Sequence, residues 1–432
     1  MDYFHNIGLA GPCVRVLRIP QWGEFPGMGG EVIRGRSLSG ISFLVVFIAT
    51  IVFCQSVLAA NVNTRSLPKK KSQKINESKH AHRRLHQLAR AHATVHRRRH
   101  YSYERFYMSS YAEDVTQGDV TDGEDPVVRQ AAIDALGNMN GTIVAIEPTS
   151  GRILAMVNQK LALSSGAQPC STIKLSVALA ALSEGIISRD TPVRLGGRYR
   201  MNLTEALAHS NNAYFEAVGR RLGFETVAHY AHEFGLGELA GYDIAGEQLG
   251  EYPDQEISAK LGGVGKMCSF GEGVSMTPLQ LGAMVAAIAN GGTLYYLQHP
   301  TSPEQVANFE PRVKRHLDIA PLIPEISDGM EGAVRYGTAR SLRVNFSEEE
   351  ILGKTGTCSH AGTRFGWFAS YANTDVGRIV VVIFLEGGRP TYGPKAAELA
   401  GVLYRNLYTH DFFAPRPTLP AASIIKDPAS SN

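Results

Sequence analysis

The chain has 432 residues, 44% hydrophobic and 19% charged, enough for one large domain, or two modest ones, plus tails. Its net charge of +3 conceals a basic stretch: Arg65 to Arg99 holds twelve Lys and Arg against one acid, Glu77, leaving the remainder net −8. That mildly acidic remainder excludes nucleic acid as a partner on charge grounds, and five scattered cysteines (Cys13, Cys54, Cys170, Cys268, Cys358) exclude a disulfide scaffold and lack the paired spacing of a zinc site.

In chain order, residues 1–37 read as a short N-terminal segment on the cytoplasmic side, with Met28 an alternative start. No charge occurs from Ser37 to Thr64, and Leu38–Ala60 is mostly apolar, long enough for a helix across ~30 Å of hydrocarbon. Arg34 and Arg36 precede it, as in a transmembrane signal anchor; Val57-Leu58-Ala59 resembles a cleavage site, as in a signal peptide. Either way the chain is exported. The larger basic cluster after the segment runs against the positive-inside tendency, and export is retained because the downstream chemistry requires it.

Residues 61–125 read as a basic, His-rich, disordered tether. Within it His82/His86 and His92/His96/His100 fall at i, i+4 spacing, which suits metal ligands; a solvated segment touching anionic lipid headgroups or wall polymers is the reading preferred. The folded body is expected over 126–414. Gly141–Glu147 and Arg152–Val157 read as strands around a Pro148–Gly151 turn, a helix-rich stretch runs from about Ser171 to Tyr336, and strands return at Ile351–Thr357, Phe365–Tyr371 and Arg378–Leu385. An amphipathic helix, Lys395–Tyr408, closes the body, and 415–432 is a flexible tail. Strands at both ends with helices between predict an α/β (α+β) fold, in which helices cover a central antiparallel sheet and an all-helical subdomain is inserted.

Three short motifs carry the chemistry. Cys170-Ser171-Thr-Ile-Lys174 is expected to open an apolar, buried helix, where the i, i+3 spacing sets Lys174 over Ser171. A serine hydroxyl needs a neighbour to take its proton, and a partly desolvated lysine can do so; the plain alternative for Ser171 is a helix N-cap. Ser210-Asn211-Asn212 offers a proton relay and an amide to hold the lysine and a substrate, or merely a helix start. Gly353-Lys354-Thr355-Gly356-Thr357 lies on an expected strand whose glycines suit close backbone approach, with an extended peptide pairing along its edge; otherwise it is a bulged edge with a solvated lysine.

S-x-x-K, S-x-N and K-T-G in this order are the set used by serine penicillin-recognising enzymes. With the phrases Tyr242–Gly250, Phe270–Leu281, Ala287–Gly292 and Tyr336–Ala339, the region from about Gly141 to Tyr408 resembles the transpeptidase domain of penicillin-binding proteins. The resemblance implies a β-lactamase/transpeptidase-like fold and a monofunctional, class B-like enzyme lacking the pedestal domain. It implies a peptidoglycan D,D-transpeptidase without cofactor or metal, set in the cell inner membrane with its catalytic domain in the periplasm, or free there after cleavage. The roles it implies are Ser171 as nucleophile, Lys174 as base, Ser210 as proton relay and Lys354 as a catalytic cation. Asn212, Thr355, Gly356 and Thr357 bind substrate, and the Ser171 and Thr357 amides form the oxyanion hole. Its implied partners are stem peptides, β-lactam antibiotics, the membrane and a cell-wall synthesis or division complex. Departures are Glu272 where Gln is usual, and Cys170 and Cys358 beside the motifs, expected as small packing residues with oxidation the alternative. A D,D-carboxypeptidase, a class D-like serine β-lactamase or β-lactam sensor, and a silent envelope scaffold are the competing readings.

Overall fold

The computed structural model describes residues 105–374 and 378–414. The expected segments 1–37, 38–60 and 415–432, and the histidine pairs of the tether, lie outside the described residues. Asp125 caps helix α1 (Pro126–Leu136) by accepting from the Val127 and Val128 amides, with Pro126 at the first helical position. Strands β1 (Gly141–Glu147) and β2 (Arg152–Val157) form the expected antiparallel hairpin.

After a short helix α2 (Gln159–Ala162) and a 3-10 turn, Cys170–Ile173, comes α3 (Lys174–Ser183). A small hairpin, β3 (Val193–Gly196) and β4 (Tyr199–Met201), leads into α4 (Leu203–Ala208), α5 (Asn212–Leu222), α6 (Phe224–Glu233), α7 (Gly263–Phe270) and α8 (Pro278–Ala289). Strand β5 (Thr293–Tyr295), α9 (Pro303–Ala307), β6 (Val313–His316) and α10 (Ile323–Arg335) precede the final strands β7 (Ile351–His360), β8 (Thr363–Ala372) and β9 (Val380–Gly387) and the last helix α11 (Gly393–Thr409).

The main sheet is antiparallel throughout, in the order β2-β1-β9-β8-β7, so the first hairpin and the last strands join through β1 and β9. Both faces are covered, as expected for the helix-covered sheet. Ile143, Ala145, Phe368, Val381 and Ile383 bury with Leu403 and Leu407 of α11 and Val128 and Ala132 of α1. The alternate residues Val144, Ile146, Trp367, Val380 and Val382 bury with α3 and α8, following the two-residue period of a strand. Every residue of α8 is buried, and its start is a complete capping box: Thr277 accepts from the Gln280 amide while Gln280 accepts from the Thr277 amide.

The sequence places the tether-to-body boundary at 125, and here the structure differs. Asp119 accepts from the Asn158 and Gln159 amides and from Arg129, and Glu124 accepts from the Met156 amide. Ser110 holds Gly388 and Thr391, and Tyr111 bridges to Met139. These acids look like solvated tether in sequence, yet they satisfy backbone donors at the end of β2. The body therefore takes in residues from about 107.

Candidate active site

The turn that carries Ser171 is 3-10 rather than the expected α-helix, and its first residue, Cys170, takes a left-handed backbone (φ 52°). Ser171 stays partly accessible while Lys174, the first residue of α3, is fully buried. The three-residue spacing brings Lys174 Nζ to 3.0 Å from Ser171 Oγ. The next nine residues of α3 are buried save Ser183, so the lysine stem is clamped by packing.

Ser210 follows α4 in a left-handed conformation (φ 53°), and both its carbonyl and its hydroxyl face Lys174 Nζ, at 2.8 and 3.1 Å. Asn211 is the cap of α5, accepting from the Tyr214 amide, and this leaves Asn212 as the first helical residue with Oδ1 2.6 Å from Lys174 Nζ. Ser210-Asn211-Asn212 is thus a helix start and part of the site at once.

Among the described residues, strand β7 is the end strand of the sheet, paired with β8 alone. Lys354 is fully buried; its Nζ donates to Ser210 Oγ at 2.8 Å and to the Thr355 carbonyl at 3.0 Å. Gly356, on the same face by alternation, lies so near the Ser171 turn that a Cβ there would stand 2.9 Å from the Pro169 carbonyl and 3.2 Å from Thr172 Cγ2. The intervening threonines take protein partners: Thr355 donates to Thr338 Oγ1 at 2.7 Å, and Thr357 Oγ1 accepts from the Gly393 amide at 2.8 Å.

Burial pushes the Lys174 amine well below its ordinary range, helped by the Lys354 charge and opposed by Glu216. Burial likewise brings Lys354 down to about 7. A neutral lysine amine has two protons and one lone pair. With its protons on the Asn212 and Ser210 carbonyl oxygens, the lone pair of Lys174 is left to face Ser171.

The turn is fastened to its surroundings. Cys170 and Cys358 form a disulfide with Cα atoms 5.5 Å apart, which corrects the expectation of two small packing residues: their positions beside two motifs become adjacent once β7 lies over the turn. Trp367 Nε1 on β8 donates to the Gln168 carbonyl at 3.0 Å, and Gln168 Nε2 donates to the Phe270 carbonyl and to Glu272 Oε2 at 3.0 and 3.2 Å. Gly271 (φ 66°) abuts Pro169, where a Cβ would lie 2.4 Å from Cγ. Sequence reasoning missed Thr338, Gln168 and Trp367 as supports; the phrases Tyr336–Ala339 and Gly366-Trp-Phe368 were the available signals.

Residues 141–405 match the family model for the penicillin binding protein transpeptidase domain. The chain is 29% identical over 318 residues to Stage V sporulation protein D of Bacillus subtilis, covering 61% of this chain and 48% of that one. It is 24% identical over 340 residues to the peptidoglycan D,D-transpeptidase MrdA of Acinetobacter baumannii, covering 61% and 50%. The chain thus spans about half the length of these curated relatives. Among solved structures it resembles a chain from a peptidoglycan synthase complex that coordinates polymerization and crosslinking, with a TM-score of 0.52 at 24% identity, covering 69% of this chain and 63% of that one. This last likeness is one of fold.

Proposed function

The chain belongs to the family of penicillin-binding protein transpeptidase domains, and on that footing we propose that it is a peptidoglycan D,D-transpeptidase acting through an acyl-enzyme on Ser171. The observation that carries the reading is the position of Lys174 Nζ, fully buried and within 3.1 Å of Ser171 Oγ, Ser210 Oγ, the Ser210 carbonyl and Asn212 Oδ1.

Lys174 takes the Ser171 proton as Oγ attacks the carbonyl between two terminal D-alanines of a stem peptide. The oxyanion is received by the Ser171 and Thr357 amides. As the C–N bond breaks, the departing D-alanine nitrogen gains a proton from Lys174 through Ser210 Oγ, leaving an ester on Ser171. The amine of a neighbouring strand then attacks the ester, gives up a proton along the same path and releases the serine. Lys354 fixes Ser210 and, in its protonated form, supplies positive charge toward the substrate carboxylate. Thr355, Gly356 and Thr357 line the edge along which the peptide pairs, and Asn212 holds Lys174 and the substrate amide. β-Lactams acylate Ser171 in place of substrate.

The stem peptides are built into the wall outside the cytoplasm, and a disulfide suits an oxidising compartment. Both support a catalytic domain in the periplasm, tied to the inner membrane through 38–60 or released after cleavage. The fold likeness to a synthase-complex chain supports work within a cell-wall synthesis assembly.

Fluorescent penicillin tests the reading: the full chain is labelled and Ser171→Ala is not. With a stem-peptide donor and an amine acceptor, a cross-linked dimer is expected. Trimmed peptide alone would make it a carboxypeptidase, loss of the label within seconds a β-lactamase, and absence of label a silent scaffold.

A further inference from the structure

Two pieces of chain far apart in sequence must supply the two amides of the oxyanion hole. Ser171 sits in a one-turn 3-10 segment that opens on a left-handed residue, and Thr357 sits on a strand with a single neighbour among the described residues. Neither element is rigid by itself: short 3-10 turns have poor hydrogen-bond geometry, and an end strand is paired along one edge only. The cysteines stand at the two positions where a link constrains both amides, Cys170 directly before Ser171 and Cys358 directly after Thr357, 188 residues apart in the chain.

We propose that the Cys170–Cys358 disulfide is a positioning device for catalysis, holding the nucleophile turn against β7 so that the Ser171 and Thr357 amides keep the spacing the oxyanion requires. This rests on the oxyanion-hole reading above and adds a covalent requirement to it. The other contacts that hold the turn to the sheet are non-covalent: Gly356 of β7 seats closely on Pro169, and the Trp367 indole of the neighbouring β8 donates to the Gln168 carbonyl. Cys170 is fully buried, whereas Cys358 is only partly so, which leaves the bond open to attack from the Cys358 side. A dithiol such as dithiothreitol reduces it by exchange: the S–S bond breaks, two electrons and two protons pass to Cys170 and Cys358 as thiols, and the dithiol closes to its own disulfide. The turn and the strand then separate by a fraction of an ångström, and an oxyanion donor slightly out of place loses much of its effect, since deleting one outright costs ~10²–10³ in rate.

The test measures fluorescent-penicillin acylation of the full chain, oxidised and after dithiothreitol, resolving the acylation rate constant from the preceding binding constant. Reduction is expected to lower the rate constant about tenfold with binding little changed, and reoxidation to restore it. Cys358→Val and Cys358→Ser should match the reduced wild type and be indifferent to dithiothreitol. Circular dichroism well below the melting temperature checks that each remains folded, and the reduced wild type needs no substitution at all. Equal rate constants in the oxidised and reduced wild type overturn the proposal and leave the enzyme reading intact; so does a loss confined to binding. Failure of the oxidised chain to label overturns both.

Discussion

Lys174 and Lys354, one at the start of the central helix and one on the end strand, converge on a single oxygen: Ser210 Oγ lies 3.1 Å from the first amine and 2.8 Å from the second. Two ammonium groups sharing one buried hydroxyl repel each other, so the site favours states in which at least one is neutral. In the proposed mechanism the serine between them carries the proton.

Removing the base should abolish this chemistry without unfolding the chain. Lys174→Ala is expected to lower the penicillin acylation rate by about 10²–10⁴ and to remove its rise with pH. In the wild type that rise should fall well below the ordinary lysine range, because burial and Lys354 depress the amine. Stopped-flow labelling from pH 5 to 10 measures both.

Asn212 gives a prediction of opposite signs. Its Oδ1 lies 2.6 Å from Lys174 Nζ, so Asn212→Asp places a carboxylate against the amine and stabilises its charged form. The rising limb of the acylation profile should move to higher pH. Asn212→Leu removes an acceptor that the charged form uses more strongly, and the limb should move to lower pH. Limbs that stay in place in both variants would show Asn212 to be remote from the working base.

Stability should also respond to pH through Lys354. Between its value in the fold, about 7, and the ordinary value near 10.4, the unfolded chain holds a proton that the folded chain lacks. Unfolding therefore takes up a proton, and stability climbs as pH rises through that window. Below the lower value both states are protonated and the gain is absent. Lys354→Met removes this contribution while that of Lys174 remains, so the wild-type melting temperature should gain on that of the variant from pH 7 to 10. A constant difference would contradict the burial of an amine with so low a value.

At Gly356 the expected loss is geometric. An added methyl meets the Pro169 carbonyl at 2.9 Å, with Thr172 Cγ2 and Trp367 Cβ each at 3.2 Å, so Gly356→Ala must push β7 off the turn. Overpacking of this kind costs about 1–3 kcal/mol. Acylation should fall further than the melting temperature suggests, because the displacement is centred on Ser171 and Thr357. Gly246→Ala, at a left-handed position (φ 81°) with open space around it, should cost stability alone.

Local spacing made much of this legible. A three-residue interval on an apolar helix is enough to stack Lys174 on Ser171, and alternation along 351–357 puts Lys354 and Gly356 on one face. Strands at both ends with helices between specify the sheet, and Thr-Pro-Leu-Gln is a helix start in its own right, with cap, proline and returning glutamine. What stayed hidden depends on register between distant segments. Cys170 and Cys358 become neighbours only when Thr357 pairs opposite Gly366 and β7 passes over the turn. Thr355 finds Thr338 by the same placement, and Asp119 and Glu124 look like tether acids until the end of β2 supplies their donors. The left-handed residue at 170, which opens the 3-10 turn of Ser171, has no glycine to announce it.

The pairing of β1 with β9 also sets when the site can exist. A polypeptide released after residue 174 and before residue 354 already contains the hydroxyl and the first amine but has neither the second amine nor the second amide. Synthesis can therefore pass through those lengths without producing a complete site, and clipping within the last three strands is expected to silence the molecule.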